Sequence, residues 1–211
     1  MTITAGDRLI HNTNAMDWQP SPSPTVWRKR LHLLGDTEKG QVTSVVRYDS
    51  SSAFPTHEHP AGEEILVLDG VFSDEYGDYP AGSYLLNPPG FAHAPFSRSG
   101  CVIFVKLLQY GGPGRLQCSI DTQTAAWQTG DRPGIFLISL YAQAGYPERM
   151  QLVRWQPGVR ETLLPHSEIF IVEGEMGDRV LNHPARTWIR HGETCSMEYM
   201  TEAGCVFYLA Q

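Results

Sequence analysis

One stretch of this chain is written twice. The segment 64-EILVLDG-70 returns as 168-EIFIVEG-174, an offset of 104 residues. Held at that offset without gaps, Asp74 falls on Asp178 and Pro80-Ala81 on Pro184-Ala185. Ser83-Tyr84 falls on Thr187-Trp188, and Gly100-Cys101-Val102 on Gly204-Cys205-Val206. Upstream the match continues with small slips: 45-VVRY-48 resembles 152-LVRW-155, and Trp18-Gln19 resembles Trp127-Gln128. A run held at one offset for about 40 residues marks an internal duplication of roughly 85–95 residues per copy.

Each copy reads as β. The segments 42-VTSVVRY-48, 64-EILVLDGVF-72, 83-SYLLN-87 and 101-CVIFVKLL-108 are short and rich in β-branched or aromatic residues. Gly, Pro, Asp and Ser clusters separate them. The stretches 73-SDEYGDYPAG-82 and 177-GDRVLNHPAR-186 read as matching hairpin turns. Few windows carry an apolar period of 3.6 over helical length. Short strands at about ten-residue spacing predict an all-β sandwich or barrel in each copy. The expected layout is a first barrel over residues 1–110, a glycine-rich and polar linker over 111–126, and a second barrel over 127–211.

Bulk properties narrow the function. A net charge of −7 argues against nucleic acid and against anionic membranes as partners. The cluster Arg28-Lys29-Arg30 is too short to change that and reads as an exposed strand edge. The N-terminal residues carry no apolar core of signal-peptide length, and no stretch approaches the roughly 18 apolar residues of a membrane span. Cys101, Cys118, Cys195 and Cys205 form no CxxC pair, so a cytoplasmic location with reduced thiols is expected. The run GGPG at 111 lacks the Lys-Ser/Thr of a phosphate loop, and no GxSxG is present.

The chemistry concentrates in 54-FPTHEHPAGEEILVLDG-70. Residues two apart in a strand share a face, so His57 and His59 project together. Pro60-Ala61-Gly62 permits a bend, and Glu63 keeps the same parity. A fourth group comes from 82-GSYLLNPPGFAH-93, where Pro88-Pro89-Gly90 fixes a turn that aims His93 back. Three imidazoles and one carboxylate make a ligand set for a divalent transition metal. Buried without one, they would be costly.

These residues resemble a known family. The stretch 57-HEHPAGEEILVLDG-70 resembles the first cupin motif, HxHx3Ex6G, and 82-GSYLLNPPGFAH-93 resembles the second, Gx5PxGx2H. Ser97 stands where the second motif often ends in Asn. Residues 63–107 look like the ChrR-type cupin domain nearly throughout, and Trp18 to Trp27 resembles that family's lead-in. The resemblance implies two tandem cupin barrels (double-stranded β-helix, or jelly roll). It also implies one divalent metal per chain on His57, His59, Glu63 and His93. Zinc is the first expectation, with Fe(II), Mn(II) or Ni(II) as alternatives. It further implies a sensory or regulatory protein related to the anti-sigma factor ChrR, which responds to an oxidant, singlet oxygen. This chain has no N-terminal HxxxCxxC segment, so sigma-factor contact does not carry over with the motifs. The alternative is a non-haem metal dioxygenase acting on a small organic molecule. Catalytic residues are not assigned, and self-association through sheet edges is open.

The second copy sharpens this. At the offset of 104, Glu161, Leu163, Ser167 and Met197 stand at the places of His57, His59, Glu63 and His93. A three-residue deletion saves His166 but leaves Leu164 in place of His57. The scaffold persists while the ligands are lost, which predicts a second barrel without a metal site. Elsewhere, Glu64 and Glu168 suggest structural or interface roles, Cys101 and Cys205 suggest buried core, and Lys106 suggests an edge charge, with a barrel-interior lysine as the alternative. His11, His32, His183 and His191 suggest surface positions.

Overall fold

The computed structural model describes residues 2–4, 7–36 and 39–211, so Met1, Ala5, Gly6, Thr37 and Glu38 lie outside the described residues. Every sheet is antiparallel, and one short 3-10 turn, Thr13–Ala15, is the sole helical element among the described residues. None of these elements is long and apolar enough to be a membrane-crossing helix.

The chain divides into two compact units. One holds Asp17–Ala125, the other Met1–Met16 together with Ala126–Gln211. In the first, the main sheet runs Cys118–Asp121, Ser83–Asn87, Glu63–Asp74, Cys101–Leu107, Gln41–Tyr48, Val26–Leu34, Gln19–Pro20. In the second it runs Thr2–Thr4, Arg8–Asn12, Thr187–His191, Glu168–Gly177, Cys205–Ala210, Arg149–Trp155, Ile135–Ala142, Gln128–Thr129. The two lists match strand for strand at the repeat offset over their central members. Each unit is thus a cupin-type barrel with its own core. One core gathers Ile65, Val67, Phe72, Leu85 and Ile103, the other Ile169, Ile171, Met176, Ile189 and Phe207.

The repeated glycines explain how each barrel turns its corner. Strand Glu63–Asp74 pairs with Cys101–Leu107 along its first part and with Gly77–Pro80 along its last. Near the end of the first pairing lies a bulge, where Asp69 faces Val102 but Val67 faces Ile103. Gly70 follows at a φ of 69°, and a Cβ there would lie 2.2 Å from the Gly100 carbonyl oxygen. Gly174 repeats both, with a φ of 70° and 2.2 Å to the Gly204 oxygen. Only glycine fits where backbone crosses backbone this closely in the left-handed region.

Two boundaries differ from the expected layout. Arg8–Asn12 pairs with Thr187–His191 and belongs to the second barrel, not the first. Cys118–Asp121, within the expected linker, pairs with Ser83–Asn87 and belongs to the first barrel. The strand leading into each repeat is therefore given to the barrel of the other repeat. An edge strand carries too little side-chain information to show which sheet it joins.

Several side chains also sit deeper than their type suggests. His11, His183 and His191 are buried and His32 is half-buried, correcting the surface expectation. Lys106 lies in the central strand Cys101–Leu107, buried, with its ammonium 3.8 Å from Glu64, so it is not an edge charge. Glu64 is buried and accepts from the Tyr110 hydroxyl, and Glu168 accepts from Trp188 Nε1 at 2.8 Å. Cys101 and Cys205 are buried in the two cores, where burial pushes their thiols up to about 11 and about 12.

Candidate metal centre

The first barrel brings the four sequence-expected residues together. His57–His59 forms a short strand paired with Phe91–His93, and this register sets His57 opposite His93. The turn before it is closed by Gly90, at a φ of 82°, whose N–H donates to the His59 carbonyl at 3.0 Å. Glu63 opens the long strand Glu63–Asp74. One ring nitrogen from each of His57, His59 and His93 lies within 4.8 Å of the others. The Nε2 atoms of His59 and His93 are 3.0 Å apart, and Glu63 Oε2 is 3.4 Å from both. His59, Glu63 and His93 are buried, while His57 is exposed at the rim.

Hydrogen bonds behind the cluster fix which atoms face inward. His57 Nδ1 lies 3.0 Å from the Pro55 carbonyl, which can only accept, so the proton sits on Nδ1 and the Nε2 lone pair is free. His93 Nδ1 lies 3.1 Å from Asp74 Oδ2. Burial alone would raise the Asp74 pKa, but the His93 hydrogen bond and the Tyr76 and Gly77 N–H groups hold it below the usual carboxylate range. Asp74 is therefore an ionised acceptor, and His93 also presents Nε2 inward. Burial opposes charge on His93, yet the Asp74 bond and nearby carboxylates raise its pKa. On His59 burial prevails and the pKa is lowered. Asn87 Nδ2 donates to Glu63 Oε2 at 3.1 Å, and Gln117 Nε2 donates to Asn87 Oδ1 at 3.3 Å. Lone pairs converging at these separations repel unless a cation or a proton sits among them. The donor set fits a divalent metal, with the His57 and His93 imidazoles oriented from behind in the way metal-bound histidines are.

Asp74, Asn87 and Gln117 were not singled out in sequence. Asp74 had a signal, its exact repetition as Asp178, but it read as scaffold. Ser97, which departs from the motif's Asn, points away from this role: its hydroxyl donates to the Val71 carbonyl at 2.6 Å. Thr201 repeats that bond to the Glu175 carbonyl at 2.7 Å.

A cavity of about 270 Å³ opens beside the cluster. Its metal-side wall is His57, His59 and Glu63, and Val46, Ile103, Val105 and Phe54 give apolar surface. Arg28 and Arg30 also line it, which corrects the exposed-edge expectation for Arg28-Lys29-Arg30. Only Lys29 turns the other way, with its ammonium 4.2 Å from the Trp18 ring. The missed signal was parity: Val26, Arg28 and Arg30 share one strand face.

The second barrel is built differently at the same place. Asp178 Oδ1 accepts from the Val180 and Leu181 N–H groups at 2.7 and 2.8 Å. Asp74 Oδ1 does the same for Tyr76 and Gly77 at 2.9 and 3.1 Å. Asp74 Oδ2 meets His93, whereas Asp178 Oδ2 meets Arg8 Nη1 at 2.7 Å as well as His183 Nε2 at 3.3 Å. Arg8 also donates to the Tyr199 hydroxyl at 3.2 Å, which lies 2.9 Å from His191 Nε2.

Fold and site together define a cupin-type β-barrel protein with a histidine cluster of the kind that holds a divalent metal. The family model of the ChrR cupin-like domain matches residues 6–111, and the chain belongs to that family. No curated protein sequence gives a significant match. Among solved structures, a candidate dioxygenase from Nostoc punctiforme superposes with a TM-score of 0.81 at 15% identity, covering 97% of this chain and 82% of that one. A candidate glyoxylate-induced protein from Pseudomonas aeruginosa gives 0.80 at 11%, covering 100% and 89%. The bacterial pirin YhhW of Escherichia coli, in complex with nickel(II), gives 0.68 at 13%, covering 96% and 97%. At these identities the likeness is one of fold.

Proposed function

We propose that the protein is a mononuclear metal cupin, with His57, His59, Glu63 and His93 as ligands, acting on a small organic molecule in metal-dependent oxygen chemistry. The observation that carries this reading is the cavity: the cluster is not sealed but forms one wall of a space of about 270 Å³. A divalent ion with these ligands supplies Lewis acidity and, when octahedral, open positions for an incoming ligand. The chain's own residues do the rest. Asp74, Asn87 and the Pro55 carbonyl hold the ligands in one orientation. The apolar strand faces limit water around the bound molecule. The candidate dioxygenase and the nickel(II) pirin among the structural neighbours are in keeping with this reading.

The test is metal analysis of untagged protein purified without oxygen, followed by oxygen uptake with small organic substrates. One Fe(II), Mn(II) or Ni(II) per chain, lost in Glu63→Ala, with substrate-dependent oxygen uptake is the expected result. Failure to retain any metal would sink the centre itself. A second reading, a zinc-holding sensory protein related to ChrR, is favoured by the family match over residues 6–111. It expects stoichiometric zinc, no oxygen uptake, and metal-dependent capture of a sigma factor.

A further inference from the structure

We propose that Arg28 and Arg30 form an anion subsite in the first barrel's cavity, so that the molecule bound there is a small organic acid. Its carboxylate is held by the two guanidinium groups, and its carbon body lies against the apolar wall. The metal-side half of this picture rests on the metal-cupin reading above; the anion subsite does not.

Four observations carry the proposal. Arg28 and Arg30 lie two apart on strand Val26–Leu34 and line the same cavity as His57, His59 and Glu63. Among the described residues neither guanidinium has an ion-pair or hydrogen-bond partner, and Arg30 Nε is buried with none. The other arginines of this barrel each have a partner: Arg47 pairs with Asp49 at 3.2 Å, Arg98 pairs with Asp78 at 3.3 Å, and Arg115 Nη2 donates to the Gly111 carbonyl at 3.2 Å. Finally, the charges lining the cavity do not balance. Two guanidinium groups face one carboxylate, Glu63, in a protein whose net charge is −7. A divalent ion adds to that excess. Two unpaired arginines held side by side on a partly enclosed wall are a fork for an oxyanion.

The walls decide which oxyanion. Val46, Ile103, Val105 and Phe54 offer no hydrogen bonds to an inorganic ion but suit a carbon skeleton. The space holds about nine water-sized groups, which limits the acid to a small one.

The test uses the full metal-loaded chain and calorimetric binding of acetate, butyrate, benzoate and glutarate. Each acid is paired with its neutral primary amide, and sulfate serves as the inorganic control. At least one acid is expected to bind at least tenfold more tightly than its amide and than sulfate. Arg28→Met and Arg30→Met should each weaken that acid at least tenfold and leave the amide unchanged, with Arg28→Lys intermediate. Metal content and melting temperature, read on the same samples, show that each variant is folded. A panel in which no acid exceeds its amide overturns the proposal, as does sulfate binding equally well or acid binding that survives both substitutions. Arginine-dependent acid binding in protein that holds no metal would leave the subsite standing and remove the metal-cupin reading instead.

Discussion

Asp74 is the residue on which the candidate metal centre's geometry turns, and Asp74→Asn tests it with little change in shape. Asp74 Oδ1 is committed to the Tyr76 and Gly77 N–H groups at 2.9 and 3.1 Å and to the Tyr79 hydroxyl at 3.3 Å. Burial and the Asp74 charge push the Tyr79 phenol up to about 12, so it is a donor at neutral pH. Three donors converge on Oδ1, so an asparagine keeps its oxygen there and turns its NH₂ toward His93 Nδ1. Two donors then face each other across the 3.1 Å contact. His93 relieves this by moving its proton to Nε2, which removes the lone pair aimed into the cluster. Loss of such an orienting partner costs about 10- to 100-fold in metal affinity, and the forced tautomer puts this case at the upper end, about 2.7 kcal/mol. Competition against a chromophoric chelator measures it, with Tyr79→Phe as a control that keeps the carboxylate. An Asp74→Asn affinity within threefold of the parent would refute the tautomer argument.

Two further outcomes concern the second barrel. Arg8→Met removes the cationic partner of the Asp178 carboxylate, whose side chain is 1% exposed, and leaves it the two turn N–H groups and His183. Breaking a buried pair from one side costs about 3–5 kcal/mol, so the melting temperature is expected to fall by roughly 6–20 °C, and Arg8→Met with Asp178→Asn should recover part of it; calorimetry reads both. Acidification is expected to destabilise the same barrel in two stages. Burial lowers the pKa of His183 and of His191, so the unfolded chain takes up protons from about pH 6.5 downward while the folded barrel resists, and stability falls through that window. The Arg8 bond and the turn N–H groups outweigh burial to depress Asp178, so its contribution is complete above about pH 3.9 and is lost as pH falls through its lower folded value. A melting temperature flat between pH 7 and pH 5 would contradict the first stage.

The candidate ligands were legible in sequence because they sit at fixed local spacings. His57 and His59 share a strand face, and the Pro-Pro-Gly turn returns His93 to the strand opposite. The barrels were legible because a duplicated pattern of short strands admits few architectures. What escaped depends on pairing between distant segments. Arg8–Asn12 and Cys118–Asp121 have the sequence of edge strands, and nothing local says that each joins the barrel of the other repeat. Burial of Lys106 goes with a partner far along the chain, Glu64, while His183 and His191 meet the nearby Asp178 and Tyr199, both of which are bonded to the distant Arg8. Arg28 and Arg30 were legible in principle, but a run of three basic residues hid the alternation that turns two of them inward.

The exchanged strands also account for how one scaffold came to serve two purposes. Asn12 pairs with Thr187, and Asp121 pairs with Ser83, its counterpart at the repeat offset. Counting back four residues along each strand sets Arg8 in register with Gln117. In the first barrel Gln117 steadies Asn87, which steadies Glu63, one of the four candidate ligands. In the second barrel the same strand position carries a guanidinium that reaches Asp178, the counterpart of the carboxylate behind His93. Asp178 keeps its turn, its two N–H donors and its burial, so a positive partner is still required there. With the histidine ligands gone, Arg8 supplies that charge from the chain itself. A carboxylate that would be stranded by loss of the site is thereby neutralised, and the second barrel can hold its shape with Leu163 and Met197 where the first has His59 and His93.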